Sequence, residues 1–104
     1  MSFISSLKAR QNAYTDIPHW SFETVHRQLL DQWESLFQRI EIAPDTPEPY
    51  KRMFYTALYH TMLMPVDRSD ENPLWSDAEP YYDDFYAIWD TYRTSSPLIT
   101  LIDP

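Results

Sequence analysis

Apolar residues recur at intervals of three and four between positions 22 and 40, which is the pattern of an amphipathic helix. The stripe consists of Phe22, Val25, Leu29, Trp33, Leu36, Phe37 and Ile40. Ser21 is a suitable N-cap for this helix, and Glu23 places an acid in the first turn, where the helix dipole favours negative charge. A shorter helix is predicted before it, from Ser5 to Tyr14.

A third helix is predicted after the break at Pro44. Thr46 followed by Pro47 is a typical helix start, with threonine as the N-cap and proline at the first helical position. The helix is expected to stop before Pro65. Its apolar residues widen the apolar face beyond one stripe, so the pattern predicts burial on two sides. These residues are Tyr50, Phe54, Tyr55, Ala57, Leu58, Tyr59, Met62, Leu63 and Met64.

The remaining third of the chain has a different pattern. Residues 66–79 are polar and without periodicity, which predicts a loop. The stretch from Glu79 to Arg93 then places six aromatic residues beside carboxylates. A last helix is predicted from about Asp90 to Ile102, with Pro97 tightening or kinking it. Because this apolar run stops two residues before the C-terminus, we expect the chain to be a truncated part of a larger domain.

Composition narrows the classes of function. The 104 residues are one domain's length at most, and 43% of them are hydrophobic, which is enough for a small core. A net charge of −8 argues against nucleic acid or an anionic membrane as a partner. The absence of cysteine excludes disulfides and thiolate chemistry, and the absence of glycine excludes the dinucleotide fingerprint and the P-loop.

Aromatic faces beside carboxylates are the groups that hold a sugar ring, because the C–H face packs on the aromatic and the hydroxyls donate to the acids. This combination occurs among several specific motifs in a fixed order. They are Ala9-Arg10-Gln11-Asn12-Ala13, Ile17-Pro18-His19-Trp20-Ser21-Phe22, Phe54-Tyr55-Thr56-Ala57-Leu58-Tyr59-His60-Thr61, Glu79-Pro80-Tyr81-Tyr82, Trp89-Asp90-Thr91-Tyr92-Arg93-Thr94 and Pro97-Leu98-Ile99-Thr100-Leu101-Ile102-Asp103-Pro104. In these motifs the chain resembles glycoside hydrolase family 92, the calcium-dependent, inverting exo-α-mannosidases. Ser95 and Ser96 depart from the family pattern, in which larger residues are usual.

The resemblance implies an all-α fold, a partial (α/α)6 barrel of about three to four helices with a long aromatic-acidic loop. Residues 1–104 would then be a single, incomplete catalytic domain. The family hydrolyses terminal α-linked mannose from glycans. Its general acid, its general base and most of its calcium ligands lie C-terminal to this region, so no catalytic residue is assigned here and the chain is expected to be inactive alone.

The resemblance also implies a substrate-binding set consisting of Trp89, Asp90 and Arg93. Trp89 would line the mannose subsite and Asp90 would hydrogen-bond the sugar. The alternative is that Trp89 is a core residue and that Asp90 caps a helix starting at Thr91, since aspartate is a preferred N-cap. Arg93 would hold Asp90 or another carboxylate in place, or would form a routine surface pair with Asp90 three residues away.

For the other acidic, histidine and tyrosine side chains the sequence favours a structural role over a functional one. Glu79 with Asp83 and Asp84 suggests a calcium cluster, but the spacing lacks the alternation of an EF-hand loop, and a solvated acidic loop is favoured. For His60 a hydrogen-bonded core position is favoured over a ligand, and packing is the default for Tyr81, Tyr82 and Tyr86. No metal ligand is therefore assigned within the chain.

Two other classes of function stay open on the sequence alone. One is an independent helical interaction module without catalysis, in which exposed apolar helix faces would allow self-association. The other is a free-standing mannose-binding module. The expected partner is a mannose-containing glycan. Localisation is left unassigned, because the family is mostly secreted but the first eight residues lack the apolar run of a signal peptide.

Overall fold

A computed structural model describes residues 1–75 and 79–104, and most of their regular structure is helical. The elements are α1 (Ser6–Asp16), α2 (Phe22–Phe37), α3 (Glu48–Thr61), β1 (Val66–Asp67), β2 (Tyr82–Asp83), α4 (Ile88–Thr91) and α5 (Ser95–Ile102). The predicted all-α class is confirmed, with one short antiparallel ladder added to the helices among the described residues.

Serine side chains start the first two helices. The Ser5 hydroxyl accepts a hydrogen bond from the Lys8 amide at 3.1 Å, and the Ser21 hydroxyl accepts one from the Thr24 amide at 3.3 Å. Each bond satisfies one of the amide groups that the first turn of a helix leaves without a partner. The predicted N-cap at Ser21 is confirmed.

The start of α3 differs from the prediction, in which Thr46 was the N-cap. The N-cap is Pro47, whose φ of −58° and ψ of 139° are extended, and the helix begins at Glu48. Thr46 instead donates its amide to the carbonyl of Ala43 in the preceding turn. Pro49 follows within the first helical turn, where the proline's missing amide hydrogen would have had no partner in any case.

The polar segment predicted as an unstructured loop contains β1. Val66 pairs with Asp83 and Asp67 with Tyr82, so the aromatic-acidic stretch runs back alongside the segment that follows α3. The Arg68 amide extends the ladder by donating to the Tyr81 carbonyl at 2.7 Å. A two-residue ladder is too short to leave a periodic signal in the sequence. Residues 76–78 of the predicted loop lie outside the described residues.

The single helix predicted from Asp90 to Ile102 is two helices, α4 and α5. Thr94 separates them with a non-helical backbone (φ −132°, ψ −70°). Pro97 then lies in the first turn of α5, where it causes no loss of a helical hydrogen bond. The alternative in which Asp90 caps a helix at Thr91 is wrong, because Asp90 lies inside α4 and donates its own amide to the Ala87 carbonyl at 3.0 Å.

The core lies between α2 and α3 and is largely aromatic. The ring centroids of Trp33 and Tyr59 are 4.7 Å apart, and those of Phe37 and Tyr55 are 5.5 Å apart. The Tyr55 hydroxyl donates to the Ile40 carbonyl at 3.1 Å, which ties the segment after α2 to α3. Leu58, on the same side of α3, is 3% exposed, the lowest exposure of any hydrophobic residue that the structure describes.

Much apolar surface outside this contact stays uncovered. The chain exposes 8816 Å², whereas a compact monomer of its mass would expose about 6,200 Å². Its radius of gyration is 17.0 Å, compared with about 13 Å for a compact domain of this length. Tyr50 and Met53, on the second side of α3, are 61% and 64% exposed. The predicted two-sided apolar face exists, but this chain covers only one side.

A carboxylate clasp joins the N-terminus to the segment after β1. Glu71 accepts hydrogen bonds from the Ser2 hydroxyl at 2.7 Å, the Phe3 amide at 2.9 Å and the Asn12 side-chain amide at 2.6 Å. The guanidinium of Arg68 also lies 4.9 Å from the centroid of the Phe3 ring. The hydrogen bonds from Ser2 and then Asn12 hold the pKa of Glu71 below its ordinary value.

Replacing Trp33 by alanine should lower the free energy of unfolding, because the substitution removes the centre of the α2–α3 contact. We expect a loss of about 2 kcal/mol, less than for a fully buried tryptophan. Phe22→Ala is the matched control on the same helix, since Phe22 is 75% exposed and its loss should change stability by about 0.5 kcal/mol or less. Urea unfolding followed by circular dichroism measures both, and equal losses would contradict the assigned core.

Glu71→Gln should remove the pH dependence of the hydrogen bonds that hold the N-terminal segment against residue 71. Because the pKa of Glu71 is lower in the folded chain than in the unfolded chain, the clasp is fully present above the ordinary glutamate pKa. It is lost as the pH falls through the lower folded-state pKa. The chemical shift of the Phe3 amide proton should follow this loss in the wild type and in the control Asp31→Asn. If the Phe3 amide shift in Glu71→Gln changed with pH as it does in the wild type, a group other than Glu71 would be the cause of the pH dependence.

Candidate functional site

The short helix α4 presents Trp89 and Asp90 as a bonded pair. Trp89 is 80% exposed, so within this chain it is not the core residue of the alternative interpretation. Its indole Nε1 donates to Oδ2 of Asp90 at 3.1 Å. Among the described residues, the other carboxylate oxygen of Asp90 has no hydrogen-bond partner. The pair therefore offers an open aromatic face beside a carboxylate whose orientation is fixed by the indole.

Arg93 is placed away from this pair. Its Nε donates to the Tyr92 hydroxyl, and its guanidinium lies 5.1 Å from the centroid of the Tyr92 ring. It forms no ion pair with Asp90 in the part of the chain that the structure describes. The reason is that α4 ends at Thr91, so the helical spacing that would bring positions 90 and 93 together does not continue. A site role for Arg93 stays a prediction.

Asp90 also borders a groove of about 700 Å³. The walls of the groove are the C-terminal end of α3, the turn at Met64 and Pro65, residues 85–87, α4 and the first turns of α5. Neither Trp89 nor Arg93 is among the lining residues. Asp90 thus accepts the hydrogen bond from Trp89 and also lines the groove.

Several groove residues were assigned no function from the sequence. His60 reaches the groove from α3 and is exposed, so the favoured reading of a core histidine is wrong for this chain. Ser95 and Ser96 line it from the first turn of α5. In the sequence, Ser95 and Ser96 are marked by their departure from the family pattern, in which larger residues are usual at these positions. Tyr86 lines the groove as well, whereas Tyr81 packs edge-on against Trp75 with centroids 5.7 Å apart.

The acidic residues of the aromatic-acidic stretch do not gather into a metal site. Asp83 uses Oδ1 to accept the Asp84 amide at 2.7 Å, and Asp84 has a positive φ of 64°. Residues 1–75 and 79–104 contain no group of three or more histidine or acidic side chains that could hold an ion. These residues alone therefore do not form a complete calcium site, and the calcium that the resemblance implies stays a prediction.

Comparison with known families settles the relationship of the chain. Residues 8–104 match the family model described as "Glycosyl hydrolase family 92 catalytic domain". The chain belongs to glycosyl hydrolase family 92. The matched region contains all three predicted substrate-binding residues, Trp89, Asp90 and Arg93, as well as the whole groove.

A curated protein of greater length is similar to most of this chain. The chain is 36% identical over 96 residues to a protein of Arthroderma benhamiae described as an "uncharacterized secreted glycosidase". The match covers 89% of this chain and 12% of the relative, so the chain spans about an eighth of the relative's length. No solved structure matches the chain. Among the described residues, no helix has both the length and the apolar character needed to cross a bilayer.

Proposed function

We propose that this chain supplies one part of the mannose subsite of a family 92 α-mannosidase, which removes terminal α-linked mannose from glycans with inversion. The observation that carries the proposal is the bonded pair of Trp89 and Asp90, exposed at the edge of a groove within a family 92 catalytic domain. The description of the fungal relative as a glycosidase supports the same reaction class.

Each member of the pair has a distinct part in holding the sugar. The exposed indole of Trp89 packs against the C–H face of the mannose ring. The unpaired oxygen of Asp90 accepts a hydrogen bond from a sugar hydroxyl, and a charged acceptor makes this bond stronger than a neutral one. The bond from the Trp89 indole to the other oxygen holds the carboxylate in position before the sugar arrives.

Hydrolysis itself requires groups beyond this pair. Inversion uses two carboxyl groups about 6.5–9.5 Å apart, one to protonate the leaving oxygen and one to activate water. Asp90 is the one carboxylate among the described residues that line the groove. We therefore propose that the chain is inactive alone, and that the acid, the base and the ligands of the implied calcium belong to other parts of the enzyme.

A second candidate is a helical interaction module without catalysis, and the exposed second side of α3 favours it. Tyr50 and Met53 lie one helical turn apart on that side and are both more than half exposed. Such a face would bind a second copy of the chain. This candidate requires no sugar binding, so a mannose titration separates the two.

Asp90→Asn should weaken the binding of methyl α-mannoside to the purified chain. Loss of the charged acceptor should raise the dissociation constant about tenfold, because hydrogen bonds to charged groups contribute about 1.5–3 kcal/mol. Asp84→Asn is the matched control, since Asp84 is an exposed aspartate outside the groove lining and asparagine tolerates its positive φ. Isothermal titration calorimetry measures all three proteins.

Equal affinities for the wild type and Asp90→Asn would remove Asp90 from the proposed subsite. If the wild type binds no mannoside and sediments as a concentration-dependent dimer, the interaction module replaces the mannose subsite as the function of this chain. As a control, circular dichroism should show that the variants keep the helical content of the wild type.

A further inference from the structure

Residues 1–16, which comprise the N-terminal segment and α1, form a strap that is attached to the rest of the chain at one place. Apart from contacts with the adjoining residues 17–20, its hydrogen bonds and ring contacts to other described residues all end on Arg68 or Glu71. These two residues lie three positions apart in the segment that follows β1. One short piece of chain therefore holds the whole strap.

Apolar burial contributes little to this attachment. α1 has no buried residue, and its apolar side chains Leu7 and Tyr14 are 65% and 59% exposed. Segments with few buried apolar contacts open locally at a lower free energy than the core does. The strap therefore depends on its polar attachment to Glu71.

Both oxygens of the Glu71 carboxylate take part in this attachment. Oε2 accepts from the Ser2 hydroxyl and the Phe3 amide, and Oε1 accepts from the side-chain amide of Asn12. The Asn12 amide also donates to the Met1 carbonyl at 3.2 Å, so α1 and the N-terminal segment are joined to each other. Protonation turns one carboxylate oxygen into a hydroxyl donor. The neutral acid is then a poorer acceptor for the three donors of the strap.

The charged groups near Glu71 come from three parts of the chain. Lys8 on α1 attracts the carboxylate, and Arg68 and Asp83 line a pocket of about 260 Å³ together with Glu71. Lysine and arginine stay positively charged in acid. Among these groups, only the two carboxylates therefore change charge as the pH falls.

The strap also supplies one wall of this pocket. Phe3 lines it together with Trp75 and Tyr81, whose ring centroids lie 5.7 Å apart. The guanidinium of Arg68 holds the Phe3 ring at this wall. We propose that the strap is an acid-operated cover: protonation of Glu71 releases residues 1–16 as one unit and opens the pocket at Trp75 and Tyr81.

The direction of the pH dependence follows from the hydrogen bonds to Glu71. The bonds from Ser2 and then Asn12 hold the pKa of Glu71 below its ordinary value. The strap is therefore fully attached above the ordinary glutamate pKa and is released as the pH falls through the lower folded-state pKa. This cover is independent of the proposed mannose subsite, whose residues lie on and after α4.

A spin label on α1 tests the release directly. The chain has no cysteine, so a nitroxide attached to Ser6→Cys, at the exposed first residue of α1, labels a single position. The nitroxide broadens the NMR signals of nearby protons, and the indole N–H of Trp75 reports whether α1 lies beside the pocket. We expect this signal to be broadened at neutral pH and to regain, in acid, the intensity seen with the reduced label. The indole signal of Trp33, in the α2–α3 contact, should keep its chemical shift over the same range.

Three variants, each carrying the same label, identify the group that titrates. Glu71→Gln should remove the pH dependence of the broadening, because glutamine has no proton to gain in this range. Asp83→Asn is the matched control, since it removes the other carboxylate of the pocket and should keep the midpoint of the unsubstituted labelled chain. Asn12→Ala should move the midpoint up towards the ordinary glutamate pKa, because it removes a bond that favours the ionised carboxylate.

Several results would overturn the proposal. A Trp75 signal that is not broadened at neutral pH would place α1 away from the pocket, and broadening that persists in acid would mean that the strap stays attached. Release in Glu71→Gln, or no release in Asp83→Asn, would assign the titration to another group. If the Trp33 signal changed together with the release, the chain would be unfolding as a whole. Release in the unsubstituted labelled chain and in Asp83→Asn, with none in Glu71→Gln, supports the acid-operated cover.

Discussion

The aromatic contact between α2 and α3 is the interaction on which the rest of the structure depends. Trp33 packs on Tyr59 and Phe37 on Tyr55, and Leu58 on the same side of α3 is buried. The end of α3 is thereby fixed, and this end forms one wall of the groove that Asp90 borders. The short ladder after α3 then brings the aromatic-acidic stretch back to the same place. The candidate site is assembled by packing that lies outside it.

The same chain cannot cover its remaining apolar surface. It exposes about 2,600 Å² more than a compact monomer of its mass, an excess comparable to the area buried in a large protein interface. The chain matches one eighth of the length of a longer glycosidase, and we propose that the rest of a family 92 catalytic domain covers this surface. Family membership and exposed area both support this proposal.

What could be predicted from the sequence depended on the length of each pattern. The stripe of α2 repeats over four turns, and the helix starts after its Ser21 cap as predicted, although it ends at Phe37, before the last residue of the stripe. The two-residue ladder at Val66 has no repeat to detect, and a single apolar run gave no sign of the break at Thr94. Several motifs in a fixed order, the one around Trp89 and Asp90 among them, carried the resemblance to the family. The bond between these two side chains depends on their conformations, which no residue pattern specifies.

The most direct test of the mannose subsite uses the four tryptophans of the chain as internal reporters. Each indole N–H gives its own signal in a proton–nitrogen NMR spectrum. On titration with methyl α-mannoside, we expect the signal of Trp89 to shift and saturate, while those of Trp20, Trp33 and Trp75 stay in place. Trp20 and Trp75 are also more than half exposed, so they control for nonspecific contact. A Trp89 signal that does not move, or that moves no more than theirs, would contradict the account.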